Sequence, residues 1–178
     1  IVFFYSDHGA GMPRGKRTVY DSGLQVPLLV RFPAKYRDWA PVAAGETTDR
    51  LVTFVDFGPT VLSLAGITPP TIMQGIPFLG TKNGPSKQAV YGARDRVDEA
   101  IDVARSVRDG RWRYIRNYMP HLSWNQPEAY SDGADMRREI TALAAAGKLG
   151  PGPMTYAGPR RPPEMLFDCE ADPFQLHN

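Results

Sequence analysis

Two short apolar runs on either side of a glycine-rich stretch constrain this chain most. Ile1-Val2-Phe3-Phe4-Tyr5 ends in Ser6-Asp7-His8-Gly9, and Val26-Pro27-Leu28-Leu29-Val30-Arg31-Phe32-Pro33 follows after the glycines. The first run reads as a buried strand that delivers a carboxylate and an imidazole to its C-terminal edge. Open α/β sheets place their sites there. Adjacent side chains on a strand point to opposite faces. In the loop just beyond it, Asp7 and His8 can turn onto one ion, and Gly9 permits the bend. The plainer reading is a strand-end turn capped by Asp7.

The loop between the runs reads Gly15-Lys16-Arg17-Thr18-Val19-Tyr20-Asp21-Ser22-Gly23. Further on stand Leu51-Val52-Thr53-Phe54-Val55-Asp56-Phe57-Gly58-Pro59-Thr60-Val61-Leu62, then Leu64-Ala65-Gly66, and finally Leu166-Phe167-Asp168-Cys169-Glu170-Ala171-Asp172-Pro173. With these segments in this order, the chain resembles the sulfatase family of the alkaline-phosphatase-like superfamily. The stretch from Tyr91 to Tyr118 is similar to bacterial heparan-sulfatase-like members.

One hundred and seventy-eight residues suit one domain, or one and a fraction. A net charge of +2 gives no overall electrostatic case for a nucleic-acid partner. One cysteine allows no internal disulfide, and Cys169 reads as structural. No run approaches the roughly 20 apolar residues of a membrane span, so no membrane partner is expected. The chain begins inside an apolar strand and is expected to be the C-terminal part of a longer protein. The resemblance implies a periplasmic or secreted location.

Residues 1–80 are expected to be the end of a large α/β domain with a parallel sheet. Residues 81–178 are expected to be a small subdomain of antiparallel sheet with a packed helix, as the resemblance also implies. Phe57, Val61, Leu64 and Ala65 fall at helical period near Asp56, with Thr53 or Asp56 as cap. Strands are expected over 89–93, 101–107 and 112–118, the last two joined at Asp109-Gly110, a hairpin signal. A helix over 133–146 would be capped by Asp132, end at Gly147 and present Met136, Ile140, Leu143 and Ala144. A proline- and glycine-rich stretch, 150–163, then leads to a strand at 165–167.

The resemblance implies a divalent metal held by Asp7 and His8. Oxygen donors favour Ca²⁺, with Mg²⁺ or Mn²⁺ possible; the imidazole, where relatives often have Asn, suits Mn²⁺ or Zn²⁺ better and leaves the metal open, and His8 could instead hydrogen-bond the transferring group without touching metal. It also implies that Lys16 contacts the reacting sulfate, where a point cation neutralises charge that builds in the transition state. The other reading of Lys16 is a solvated loop residue. Tyr20 and Asp21 are expected to hold the loop in shape. Seven arginines lie between 94 and 116. Of these Arg94 and Arg96, with His121 in a later loop, are candidate substrate contacts, because guanidinium forks suit sulfate and carboxylate. Interleaved Asp95, Asp98, Glu99 and Asp102 make a solvated, charge-balanced face the alternative, and they argue against nucleic acid.

Family members convert the Cys or Ser of a Cys/Ser-x-Pro-x-Arg motif to formylglycine, and this sequence contains no such motif. The resemblance thus implies part of a sulfatase site, for sulfate esters or N-linked sulfate on a small molecule or saccharide. The isolated chain is expected to be inactive and to self-associate. A phosphate- or phosphonate-ester hydrolase of the same superfamily, and a non-enzymatic binding module, are the alternatives.

Overall fold

The computed structural model describes all 178 residues, and its contacts group them into two compact units. One comprises Ile1–Tyr5 and Leu28–Val90; the other comprises Ser6–Pro27 and Tyr91–Asn178. This differs from a division at residue 80. The glycine-rich loop leaves the unit of its flanking strands and packs with the C-terminal half, because Val19 and Tyr20 are core residues of that half.

In the first unit, β1 (Val2–Tyr5) pairs with β2 (Leu28–Arg31), with Phe3 opposite Val30 and Tyr5 opposite Leu28. The pair is antiparallel, not parallel as expected. Phe3 and Tyr5 share one face of β1 and pack against Phe57, at 6.0 and 4.9 Å between ring centroids. Phe78 closes the aromatic cluster at 5.7 Å from Phe57. Val2, Phe4 and Leu29 are exposed.

Thr53 and Asp56 form a capping box across a 3-10 turn, Phe54–Asp56, which leads into α1 (Phe57–Leu64). Asp56 is 1% exposed. Its carboxylate accepts the Thr53 N–H at 2.9 Å and the Ile76 N–H at 2.8 Å, and pairs with Lys87 at 2.9 Å. The buried face of α1 is Pro59, Thr60 and Ser63, while Val61 is exposed. Polar bonds explain this face. Thr60 accepts the Phe78 N–H and Ser63 accepts the Lys82 N–H, so the helix tethers the following turn-rich segment.

The second unit holds a four-stranded sheet in chain order: β3 (Val90–Val97), β4 (Ala100–Arg108), β5 (Trp112–Asn117) and β6 (Glu164–Asp168). β4 pairs antiparallel with β5 and β5 with β6. The hairpin forms at Asp109-Gly110, where the Asp109 carboxylate accepts the N–H groups of Arg111 and Trp112. Tyr20, Ala104, Ile115, Trp124, Tyr156, Met165 and Phe167 join Val19 in one core. Each large side chain there contributes roughly 1.5–3 kcal/mol by leaving water.

Four short helices complete this unit: α2 (Asp21–Leu24), α3 (Ala129–Asp132), α4 (Asp135–Ala145) and α5 (Pro151–Ala157). α4 starts later than expected, with Ala134 at its cap, and Asp132 instead accepts the Glu128 N–H. Its buried residue is Arg137, not Met136. α5 lies in the stretch expected to be irregular. Pro151 occupies the first helical turn, where a missing N–H costs nothing.

Candidate active site

The loop 9–23 is closed at its neck by the Gly9 N–H donating to the Gly23 carbonyl at 3.0 Å. A Cβ on Gly9 would meet the Ser22 carbonyl oxygen at 2.0 Å, so only glycine allows this approach. At the tip, Arg14 and Arg17 both have left-handed backbones, with φ of 63° and 77°. Each such residue costs about 1–2 kcal/mol unless its surroundings hold it.

Both are held. The Arg14 guanidinium lies 3.8 Å from the Tyr20 ring and donates to the Phe174 carbonyl. Burial lowers its pKa, against the opposing pull of Tyr20. Arg17 pairs with buried Glu128 and with Asp98, and donates to Ser131. Lys16 stands between these two anchors, so its backbone is fixed while its ammonium makes no ion pair or hydrogen bond. It lies 5.6 Å from the Tyr130 ring.

The base of the loop is tied down as expected. Tyr20 is fully buried, and burial raises its pKa, which keeps the hydroxyl neutral. Asp21 accepts hydrogen bonds from Arg113 at 2.8 and 2.5 Å and faces Arg108 at 3.3 Å.

His8, Lys16, Arg17 and Arg94 line one cavity of about 520 Å³, together with Trp124, Glu128, Tyr130, Arg137 and Tyr156. That volume lies in the range of small-molecule sites. Arg94 is 8% exposed. Its Nε lies 2.9 Å from Asp102, Nη1 donates to the Arg17 carbonyl, and the guanidinium stands over Trp124. Burial lowers its pKa, opposed mainly by the Asp102 charge. Asp102, itself fully buried, also grips Arg161, which stacks 4.0 Å from the Trp124 ring. Arg161 carries no signal in the sequence, because it lies in a proline-rich stretch with no periodicity.

Arg96 and His121 do not reach the cavity. Arg96 is exposed and folds back on the Asp98 carbonyl; His121 is exposed in its loop. The remaining arginines of the cluster are also paired: Arg105 with Asp95, Arg111 with Asp168 and Arg116 with Glu164. Arg113 is buried while Arg111 is exposed over Trp112, so the two do not share a face.

Asp7 is exposed, and its Oδ1 lies 3.6 Å from His8 Nε2. His8 Nδ1 donates to the Gly9 carbonyl at 2.7 Å, so in the neutral ring the lone pair is on Nε2. Two ligands at right angles on a Ca²⁺-sized ion stand about 3.3–3.7 Å apart. The pair therefore fits two adjacent positions of a divalent cation. No third carboxylate, imidazole or thiol of the chain gathers with it.

The sequence profile of the N-sulphoglucosamine sulphohydrolase C-terminal family matches residues 13–145. The chain belongs to this family. It is 44% identical over 179 residues to an ulvan-active sulfatase of Formosa agariphila, covering 100% of this chain and 29% of that protein. Its fold matches that of BT1596, a 2-O GAG sulfatase, with a TM-score of 0.62, 22% identity, and 99% of this chain against 30% of that one. It also matches BT4656, solved with its substrate D-glucosamine-2-N,6-O-disulfate, with a TM-score of 0.56 and 19% identity, covering 91% of this chain and 25% of that one. The chain thus spans under a third of each protein, and it has the α/β fold of the matching part of sulfatases.

Proposed function

We propose that this chain supplies part of the active site of a metal-dependent sulfatase that releases sulfate from a saccharide. The observation that carries this reading is the convergence of His8 and the unpaired Lys16 of the glycine-rich loop with Arg94 of β3 on one cavity. The similarity to an ulvan-active sulfatase, and the fold shared with BT4656, whose substrate is a disulfated glucosamine, support sulfated saccharide as substrate.

In this reading Asp7 Oδ1 and His8 Nε2 hold one side of a divalent cation, Ca²⁺ by preference, with Mg²⁺ or Mn²⁺ compatible. The cation would polarise the sulfate and favour an anionic nucleophile. Lys16 faces the sulfate oxygens with a charge that becomes more favourable as negative charge builds on them. Its fixed backbone means little reorganisation accompanies the reaction. The nucleophile, formylglycine in this family, comes from residues outside these 178. A secreted or periplasmic location accords with such a substrate.

The test is sulfate release by the full-length protein from sulfated saccharides and 4-nitrophenyl sulfate, beside the matching phosphate esters. Release of sulfate, lost in Lys16→Ala, supports the reading. Release of phosphate alone would replace it with the phosphate-ester alternative.

A further inference from the structure

The cavity offers four cationic side chains besides His8, and they differ in how completely they are paired. Arg137 is fully occupied by Asp132, the Tyr156 hydroxyl and the Gln126 carbonyl. Arg17 is occupied by Glu128, Ser131 and Asp98. Lys16 Nζ has no partner. Arg94 is intermediate: Nη1 binds the Arg17 carbonyl and Nε lies 2.9 Å from Asp102 without a hydrogen bond to it, while Nη2 makes no hydrogen bond within the protein.

Asp102 is shared between Arg94 and Arg161, so three buried groups carry one negative and two positive charges. Isolated buried charge is costly, and a cluster with surplus positive charge favours an anion at its open end. That open end is the unpaired Arg94 Nη2. The cavity therefore presents two separate open cationic donors, one on the loop and one on the sheet.

We propose that Arg94 binds a second anionic group of the substrate. This rests on the sulfatase reading and narrows it. The substrate is a saccharide with at least two acidic groups: the sulfate that reacts, at Lys16, and another sulfate or a carboxylate at Arg94. Asp102 is a positioning residue. Its carboxylate stands 2.9 Å from Nε and holds the guanidinium by charge at the cavity wall.

Calorimetric binding to the full-length protein tests this without relying on turnover. Three probes are compared: N-acetyl-D-glucosamine 6-sulfate, D-glucosamine-2-N,6-O-disulfate, and a disaccharide with one sulfate and one uronate carboxylate. At least one doubly acidic probe binds about tenfold or more tighter than the singly sulfated one, the scale of a charge-assisted hydrogen bond. Which probe gains tells sulfate from carboxylate at Arg94. Arg94→Gln removes the preference. Should that variant fail to fold, Arg94→Lys keeps the charge beside Asp102 but not the fork, and the preference drops at least about threefold.

Equal wild-type binding of all three probes overturns the proposal, as does a preference that survives loss of Arg94. A preference that depends on Arg94, in a protein that releases no sulfate, would instead overturn the sulfatase reading and leave a binding site for acidic saccharides.

Discussion

Lys16 and Arg94 reach the same cavity but are held in different ways, and substitutions should separate them. Lys16 has no partner within the protein, so removing it should leave stability nearly unchanged. If the full-length protein is the proposed sulfatase, Lys16→Ala should lower its kcat/KM by roughly 10²–10³, the scale of one preorganised charge-stabilising contact. An effect below about threefold would return Lys16 to a solvated loop residue. Asp102 is the opposite case. Asp102→Asn leaves the buried Arg94 and Arg161 without their counter-charge. It should cost about 3–5 kcal/mol in urea unfolding, the penalty for removing one partner of a buried pair. Wild-type stability in that variant would show that the two guanidiniums are satisfied elsewhere. The place of Asp7, His8 and Lys16 just beyond an apolar strand was legible in the sequence, and the structure brings His8 and Lys16 to one cavity. The pairing of Arg94 was not legible, since its partners, Asp102, Arg161 and Trp124, are spread over sixty positions and meet only through the sheet.

At the scale of elements, period and turn chemistry carried most of the reading. β1, β2 and the β4–β5 hairpin lie where apolar runs and Asp109-Gly110 put them. α5 was hidden because prolines at 151 and 153 read as breakers, although both stand in the first turn, where proline is tolerated. The buried face of α1 departs from the apolar period at Val61, although Phe57 packs as that period predicts. Here hydrogen bonds to Thr60 and Ser63 decide the buried side. Asp56 organises this region and has a pH signature. Burial alone would raise its pKa. Lys87 and the N–H groups of Thr53 and Ile76 outweigh that and hold it below the usual carboxylate range. A depressed folded pKa stabilises above the unfolded value and loses that contribution as pH falls through the folded one. Acid titration of the unit's stability should therefore show a loss below the ordinary Asp range that is absent in Asp56→Asn. An identical acid profile in the variant would show that Asp56 is not the titrating group.

At the scale of the whole molecule, Val2, Phe4, Leu29, Val61 and Ile72 expose apolar surface in the first unit. Covering each large side chain recovers roughly 1.5–3 kcal/mol, enough in combination to drive association. The 178-residue chain should self-associate at micromolar concentration by light scattering, with hydrogen exchange slowed on residues 1–5 and 28–32. A monodisperse monomer would show that this surface is tolerated. The chain by itself should also be inactive, since it carries no Cys/Ser-x-Pro-x-Arg motif and, in the proposed reading, only two of the metal donors. The measurement that bears most directly on the account is sulfate release by the full-length protein, wild type against Asp7→Ala, with a sulfated saccharide and added Ca²⁺. The account predicts metal-dependent release that falls at least about a hundredfold when Asp7 is removed; release at the wild-type rate from Asp7→Ala would contradict it.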